Sequence, residues 1–315
     1  MDQTHLAEES YQKKKKFTDK LFKSIFWFAG FLSAIFILLI IVFVISRGIS
    51  PFLPSYTGYN GGPYSVTKFL SGMQWRQDSN LYGVLYIIIN TFISALGALL
   101  ISFPISVLTA LFIVKIAPTW LAKVMTTIVE LLAAIPSVVY GVFAAGSIVR
   151  WVQSSAGLFG QSTFGGNSLL AVAILLALMV FPTMTSLAIV AIRAVPKELT
   201  EGSLALGATK TQTNFKVVLT TARSGIFAGL ILGLGRAFGE ATAVTMVAGN
   251  AMTGPTVNPF NTTRTLTSTM LAGLKETHGL DYDIRFSVGI ILMVVIIGTN
   301  LIIHYVKSKV GGSMS

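Results

Sequence analysis

The sequence alternates between long apolar stretches and shorter polar ones. Six apolar stretches are long enough to cross a bilayer, which takes about 20 helical residues at about 1.5 Å rise per residue. We predict membrane spans at residues 25–45, 83–114, 124–149, 168–192, 224–249 and 286–306. They divide the chain into a basic tail at 1–24, a transmembrane region at 25–308 and a short tail at 309–315. The pattern predicts an all-α, polytopic membrane protein with six transmembrane helices.

The first two stretches need a closer look. The first follows four lysines, as the core of a signal peptide does, but its 21 uncharged residues are too many and "FVISRGIS" offers no small-residue cleavage site. We therefore interpret it as a retained span. The second would be about 48 Å long as one helix, so it must tilt, extend into the cytoplasm or bend at Pro104. We expect a span with a cytoplasmic extension.

Composition and charge agree with a membrane location. Hydrophobic residues make up 53% of the chain, charged residues 11%, and the mean hydropathy is +0.74. With the amino terminus placed in the cytoplasm, fifteen of the 23 Lys and Arg lie on the inside, although the inside segments are shorter in total than the outside ones. This bias predicts that both termini are cytoplasmic. It also accounts for the net charge of +11, so nothing further supports nucleic-acid binding.

The chain lacks the residues that several kinds of catalytic and metal chemistry require. The chain has no cysteine, which excludes disulfides and thiol catalysis, and its three histidines are far apart, at His5, His278 and His304. No span combines a histidine or serine motif with a catalytic partner. We expect no metal site, no cofactor on this chain and no enzymatic activity of its own.

The longest polar stretch predicted on the inside between spans is "RAVPKELTEGSLALGATKTQTNFKVVLTTAR", residues 193–223. Pro196 suits the first turn of a helix, and acidic Glu198 and Glu201 favour a helix amino terminus. Gly207 can adopt the left-handed conformation that ends a helix. The loop therefore predicts a short helix, a glycine turn and a second helix that rises into the fifth span.

This loop has alternative interpretations. Leu199, Ser203 and Leu206 recur along one helix face, which suits a contact surface, but a solvated loop with no partner has the same pattern. Gly202 and Gly207 have the separation of a nucleotide-binding loop, yet alanine and threonine follow where lysine and serine or threonine would bind phosphate and magnesium. If ATP drives transport, another chain must hydrolyse it.

The fifth span contains the segment "GLGRAFGEATAV", which places Arg236 and Glu240 in apolar surroundings. At mid-membrane each charge costs about 2.5 to 3.5 kcal/mol. On a helix the two lie about 40° apart, so they can meet each other or a shared hydrated cavity. A structural salt bridge between helices is the alternative to a functional pair. Glycine ridges, formed by Gly225, Gly229 and Gly233 and by Gly235 and Gly239, favour a helix that packs closely while its charges line a path.

An arginine in such a path matches an oxyanion, because the guanidinium offers parallel donors to two oxygens. Glu240 can pair with Arg236 when the path is empty or accept the O–H bond of a protonated phosphate, which sulfate lacks. In "ELLAAIPSVVYG", Glu130 can lie at the cytoplasmic interface or in the path, and Pro136 can open the helix locally. Pro136 and Glu130 are therefore candidate path or gating residues.

The cytoplasmic loop resembles the signature of ATP-binding-cassette (ABC) importer permeases, in which Glu-Ala-Ala is followed at fixed spacing by glycine. Gly202 and Ser203 replace the alanines in this chain, and Thr220 replaces a later proline. The resemblance implies that residues 197–207 insert into a groove of an ATPase subunit. It assigns polar contact or capping to Glu201, the turn to Gly207, and contact to Leu199 and Leu206.

The stretches "ELLAAIPSVVYG" and "GLGRAFGEATAVTMVAGN" resemble the C-type permeases of bacterial high-affinity phosphate importers, the Pst systems. The resemblance implies a type I (MetI-like) permease in the bacterial inner membrane, surrounded by lipid, with Arg236 and Glu240 in the phosphate pathway. It also implies partners: an A-type permease as heterodimer, two ATPase copies that bind ATP and Mg, and an extracytoplasmic phosphate-binding protein. Alternatives are a permease for sulfate or molybdate, and an ion-coupled carrier or channel.

Overall fold

A computed structural model describes residues 3–58 and 62–311 of the chain. The fold is almost entirely helical, with a two-residue antiparallel hairpin, β1 (Trp75–Arg76) and β2 (Leu81–Tyr82). The helices are α1 (Gln3–Ile49), α2 (Val66–Ser71), α3 (Leu85–Leu111), α4 (Thr119–Ala134), α5 (Ser137–Phe143), α6 (Val149–Leu158), α7 (Leu169–Arg193), α8 (Lys197–Ala205), α9 (Lys210–Gln212), α10 (Leu219–Gly239), α11 (Thr242–Val247), α12 (Leu266–Leu271) and α13 (Leu280–Gly311). Three π-helical segments, Phe112–Ile116, Ala144–Ile148 and Thr213–Val218, join or extend these helices, and Ser50–Phe52 and Leu274–Glu276 form 3-10 turns.

Five helical segments of the described chain are long and apolar enough to cross a membrane. They are Thr18–Phe52, Leu85–Ile116, Leu169–Arg193, Lys210–Gly239 and Leu280–Ile303. The pair formed by α4 and the continuous helix α5–α6 makes a sixth candidate, bent by 95°. The predicted all-α, polytopic membrane fold is therefore confirmed, and the predicted six spans are reached if the bent pair counts as one span.

Some predicted boundaries differ from the helices. Helix α1 begins at Gln3, so the predicted basic tail is helical and continuous with the first span. Helix α3 continues through Pro104 into the π-helical segment that ends at Ile116, longer than a bilayer requires. Helix α13 continues to Gly311, and the rest of the predicted tail at 309–315 lies outside the described residues.

The third predicted span, at 124–149, is not one continuous helix, because the chain turns sharply at Pro136, where the sequence predicted a local opening. Proline has no N–H to donate and disfavours a helical conformation in the residue before it. Ile135 is accordingly extended, with φ −67° and ψ 127°. The Leu132 carbonyl, which residue 136 would pair with in a helix, accepts a 2.9 Å hydrogen bond from the Tyr140 hydroxyl instead. The second arm of the bend then continues to Leu158.

The prediction of one fifth span at 224–249 is also wrong in shape. Helix α10 ends at Gly239, and Glu240 is extended, with φ −75° and ψ 116°. The short helix α11 follows, from Thr242 to Val247. The fifth apolar stretch therefore consists of a long helix, a break at Glu240 and a separate short helix of about one and a half turns.

Helices α3, α7 and α10 pack together at the centre of the fold, and glycines of α10 allow the close approach. A Cβ at Gly225 would lie 2.5 Å from the Ala191 Cβ, and one at Gly233 would lie 2.8 Å from Met184. The first predicted glycine ridge therefore packs against α7. A Cβ at Gly235 or at Gly239 would meet no atom of the described chain within 4 Å, so the second ridge is open.

The carboxyl end of α1 contacts the amino-terminal part of α13, where Gly48 lies against the α13 backbone. A Cβ at Gly48 would lie 2.7 Å from the Phe286 carbonyl oxygen and 2.7 Å from Ile290 Cδ1. The Ser287 hydroxyl donates a 2.7 Å hydrogen bond to the Gly48 carbonyl. Only a residue without a side chain fits this crossing.

We predict that Gly48→Ala destabilises the protein by about 1–3 kcal/mol, because the added methyl group must push α1 away from the α13 backbone. Gly30→Ala is the matched control, since it lies in the same helix and a Cβ there meets nothing within 4 Å. Thermal unfolding of the purified protein in one detergent measures both. Equal midpoints for the two variants would contradict the proposed contact.

Candidate functional site

Arg236 lies in the last turn of α10 and is half-buried. Its Nη1 donates a 2.9 Å hydrogen bond to the Thr183 hydroxyl oxygen on α7. Within residues 3–58 and 62–311, no ion pair with an N–O distance of 4.0 Å or less includes Arg236. The guanidinium is therefore anchored by a neutral group, and no carboxylate oxygen of the described residues lies within 4.0 Å of its nitrogens.

Glu240 directly follows the last residue of α10, and its side chain forms a hydrogen bond with the next helix. Its Oε1 accepts a 3.0 Å hydrogen bond from the Ala243 backbone N–H, which caps the amino terminus of α11. Its backbone carbonyl accepts a 2.7 Å hydrogen bond from the Thr267 hydroxyl on α12. Glu240 keeps a helical φ of −75° and leaves the helix only at ψ 116°, so the expectation that it shares a face with Arg236 stays a prediction, while its carboxylate is used by α11.

The two helix interruptions lie side by side. Helix α5 packs against α11 at Gly141, where a Cβ would lie 2.7 Å from Met246 Sδ and 2.9 Å from the Ala243 Cα. The bend that follows Ile135 and the break at residue 240 thus converge on the same region. Discontinuous helices at membrane depth free backbone polar groups, and such places are tolerated where they line a cavity or bind a substrate.

The other predicted path residues are less closely tied to this site. Pro136 forms the bend itself, and its side chain is exposed. Glu130 lies on an exposed face of α4, and no ion pair of the described residues includes it. The structure thus brings the bend at Pro136 near the end of α10 through the contact of Gly141 with α11, while the role of Glu130 stays a prediction.

Three residues at this site were not among the predicted site residues. Thr183 lies 53 positions before Arg236, and a single threonine in an apolar helix gives no sign of its partner. Thr267 belongs to α12, in a stretch that the sequence assigns to an outer loop. Tyr140 lies inside "ELLAAIPSVVYG", and its position four residues after Pro136 was the available signal.

A second candidate site is the loop between α7 and α10. Helix α8 starts after Pro196 and ends before Leu206, and Gly207 has φ +84°, which confirms the predicted helix and glycine turn. The Ser203 and Thr213 hydroxyls lie 2.9 Å apart and tie the two arms of this hairpin together.

The hairpin exposes apolar side chains at its tip. Leu206 is 91% exposed and Leu199 is 45% exposed. The Glu201 side chain is exposed as well. Exposed leucines in a polar loop are typical of a surface that another protein covers, although isolated exposed leucines are common.

Comparison with known proteins identifies the fold and the family. Residues 102–311 match the family described as "Binding-protein-dependent transport system inner membrane component". Over 274 residues the chain is 37% identical to the "Probable ABC transporter permease protein YqgH" of Bacillus subtilis (strain 168), covering 86% of this chain and 84% of that protein. Over 263 residues it is 32% identical to the "Phosphate transport system permease protein PstC" of Pasteurella multocida (strain Pm70), covering 78% of this chain and 82% of that protein.

A solved structure shows the same fold at low sequence identity. The structure titled "Crystal structure of bacterial alginate ABC transporter in complex with alginate pentasaccharide-bound periplasmic protein" contains a similar chain. The TM-score is 0.61 at 21% identity, covering 90% of this chain and 94% of that one. Taken with the family match, the helical membrane fold leads to one conclusion: this chain belongs to the inner membrane components of binding-protein-dependent transport systems, which are multi-pass ABC transporter permeases.

Proposed function

We propose that this chain is the permease subunit of an ATP-driven importer that moves inorganic phosphate into the cell, and that Arg236 contacts the anion. The observation that carries the proposal is the guanidinium at the junction of two interrupted helices. It is half-buried, hydrogen-bonded to a neutral hydroxyl and unpaired with any carboxylate of the described chain. A positive charge in that setting favours an anion as its partner.

The geometry supports an oxyanion in particular. A guanidinium offers parallel N–H donors that match two oxygens of a tetrahedral anion. Glu240 uses Oε1 to cap α11, while Oε2 has no hydrogen bond to another described residue. That second oxygen can accept the O–H of a protonated phosphate, which fully ionised sulfate cannot supply. This arrangement favours phosphate over sulfate or molybdate.

The names of relatives support the same cargo. Several proteins named "Phosphate transport system permease protein PstC" are 30–35% identical to this chain, among them those of Pasteurella multocida, Xylella fastidiosa and Haemophilus influenzae. None of these names assigns a residue to the pathway, so the role of Arg236 rests on the geometry.

The proposal includes partners and an orientation. We infer a second, A-type permease beside α10, an extracytoplasmic phosphate-binding protein, and two cytoplasmic ATPase copies that bind ATP and magnesium. The open glycines of α10 and the exposed leucines of the α8 hairpin support a membrane partner and a cytoplasmic partner. The distribution of Lys and Arg supports cytoplasmic termini.

We predict that Arg236→Ala lowers phosphate uptake about 100-fold or more, because the anion loses its charged donor in a low-dielectric path. Uptake of labelled phosphate is measured in proteoliposomes that contain the assembled complex, with binding protein outside and ATP inside. ATP binding and assembly should be unchanged. Arg150→Ala, which removes an exposed guanidinium from α6, is the control. Normal uptake by Arg236→Ala would reject the assigned role.

The same assay identifies the cargo class. Unlabelled phosphate and arsenate should compete with labelled phosphate, whereas sulfate and molybdate should not. Competition by sulfate or molybdate would favour the other oxyanion importer. Uptake that continues without ATP and without an ATPase would favour the ion-coupled carrier.

We predict that Leu206→Asp lowers the amount of ATPase that co-purifies with the permease about tenfold or more, because an apolar anchor at the centre of a contact becomes a charge. Leu158→Asp is the matched control, since Leu158 is 87% exposed but lies at the far end of α6. Quantitative immunoblotting of affinity-purified complexes measures the ratio. Equal ratios for the two variants would show that the hairpin does not bind the ATPase.

A further inference from the structure

The contact between Arg236 and Thr183 fixes how the guanidinium is oriented. Thr183 directly follows Pro182 inside α7, and its hydroxyl oxygen lies 2.9 Å from Arg236 Nη1. The two helices cannot slide freely at this level, because Gly233, one turn before the arginine, lies against Met184, the residue after the threonine. The backbone therefore holds the hydroxyl at a set position relative to α10.

A guanidinium has two edges that can donate a pair of parallel hydrogen bonds. One edge joins Nη1 and Nη2, and the other joins Nε and Nη2. Because Nη1 is engaged by Thr183, the edge that joins Nε and Nη2 stays available, and neither atom donates to another residue in the described part of the chain. That edge matches two oxygens of a tetrahedral anion.

We propose that Thr183 is the positioning residue of the pathway: its hydroxyl orients Arg236 so that the Nε and Nη2 edge is presented to phosphate. This inference rests on the function proposed above for Arg236. Thr183 need not touch the anion. It acts by limiting the rotamers of a long side chain that otherwise loses considerable freedom each time it binds.

The position of Glu240 explains why such an anchor is needed. The carboxylate lies four residues after Arg236 and has a free oxygen, Oε2. If the guanidinium were released from α7, it could turn toward that oxygen and form an ion pair. An arginine paired in this way binds a passing anion less well, so the loss of the hydroxyl weakens the pathway although both charged residues remain.

Thr185 provides an internal comparison. It lies on the same helix two residues later, and its hydroxyl donates a 2.7 Å hydrogen bond to the Phe181 carbonyl of its own helix. Thr185→Val thus removes a hydroxyl from α7 without removing any contact to Arg236. Thr183→Ser keeps a hydroxyl at the anchoring position and tests whether this group is what matters.

The experiment compares Thr183→Val, Thr183→Ser and Thr185→Val in the assembled complex in proteoliposomes. Both phosphate uptake and ATP hydrolysis are measured at saturating phosphate-loaded binding protein. We expect Thr183→Val to lower the phosphate moved per ATP hydrolysed about tenfold, the effect of losing one hydrogen bond to a charged group. The rate of ATP hydrolysis should stay within about twofold of the parent, since a local hydroxyl loss leaves the ATPase contact intact. Thr183→Ser and Thr185→Val should retain the parent ratio.

The outcomes separate this inference from the proposed function. A purely structural role of Thr183 would lower uptake and ATP hydrolysis together, and this result would overturn the inference. An unchanged ratio in Thr183→Val, together with loss of uptake in Arg236→Ala, would also overturn it and leave the proposed function standing. Normal uptake by Arg236→Ala would instead remove the function on which the inference rests.

Discussion

The break between α10 and α11 is the constraint on which the candidate site depends. In a continuous helix, Arg236 and Glu240 would face one another one turn apart, and their charges would cancel. Because the helix ends at Gly239, the carboxylate caps α11 through the Ala243 N–H, and the guanidinium is anchored on α7. The two charges are thus held separately, the carboxylate by α11 and the guanidinium by α7. A cation that is held but not neutralised is what an anion path requires.

The break is stabilised by its surroundings. The Thr267 hydroxyl donates to the Glu240 carbonyl, which has no helical partner once α10 has ended. On the other side, the Leu132 carbonyl loses its helical partner at Pro136 and accepts hydrogen bonds from the Tyr140 hydroxyl, at 2.9 Å, and the Ile135 N–H, at 3.4 Å. Buried backbone groups without partners are costly in a membrane, so each interruption persists because a side chain from elsewhere satisfies it. Gly141 lets the two interrupted segments approach closely. The site therefore consists of two helix interruptions that pack against each other within a close-packed helical fold.

Much of this fold could be predicted from the sequence, because hydrophobic length sets where helices cross a bilayer and proline marks a bend. The glycine turn at Gly207 followed from the same local reasoning. The break at residue 240 could not be predicted, since "GRAFGEATAV" contains no proline and reads as helix. Its causes are contacts from α12 and a cap formed within the next helix. Thr183 could not be identified either, since pairing across 53 positions depends on how α7 and α10 pack.

The unpacked side of α10 limits what can surround this chain in a membrane. Gly225 and Gly233 are covered by α7, whereas Gly235 and Gly239 face open space beside the half-buried Arg236. Lipid is a poor neighbour there, because hydrocarbon leaves the charge of the arginine without a partner. Water could fill this space only if another surface enclosed it on the side that faces away from α10. In the proposed importer, a second membrane subunit faces the open ridge and supplies that surface, so that the proposed pathway runs between two chains. On this proposal the chain forms one side of the pathway, and Arg236 is the residue on that side that binds the anion.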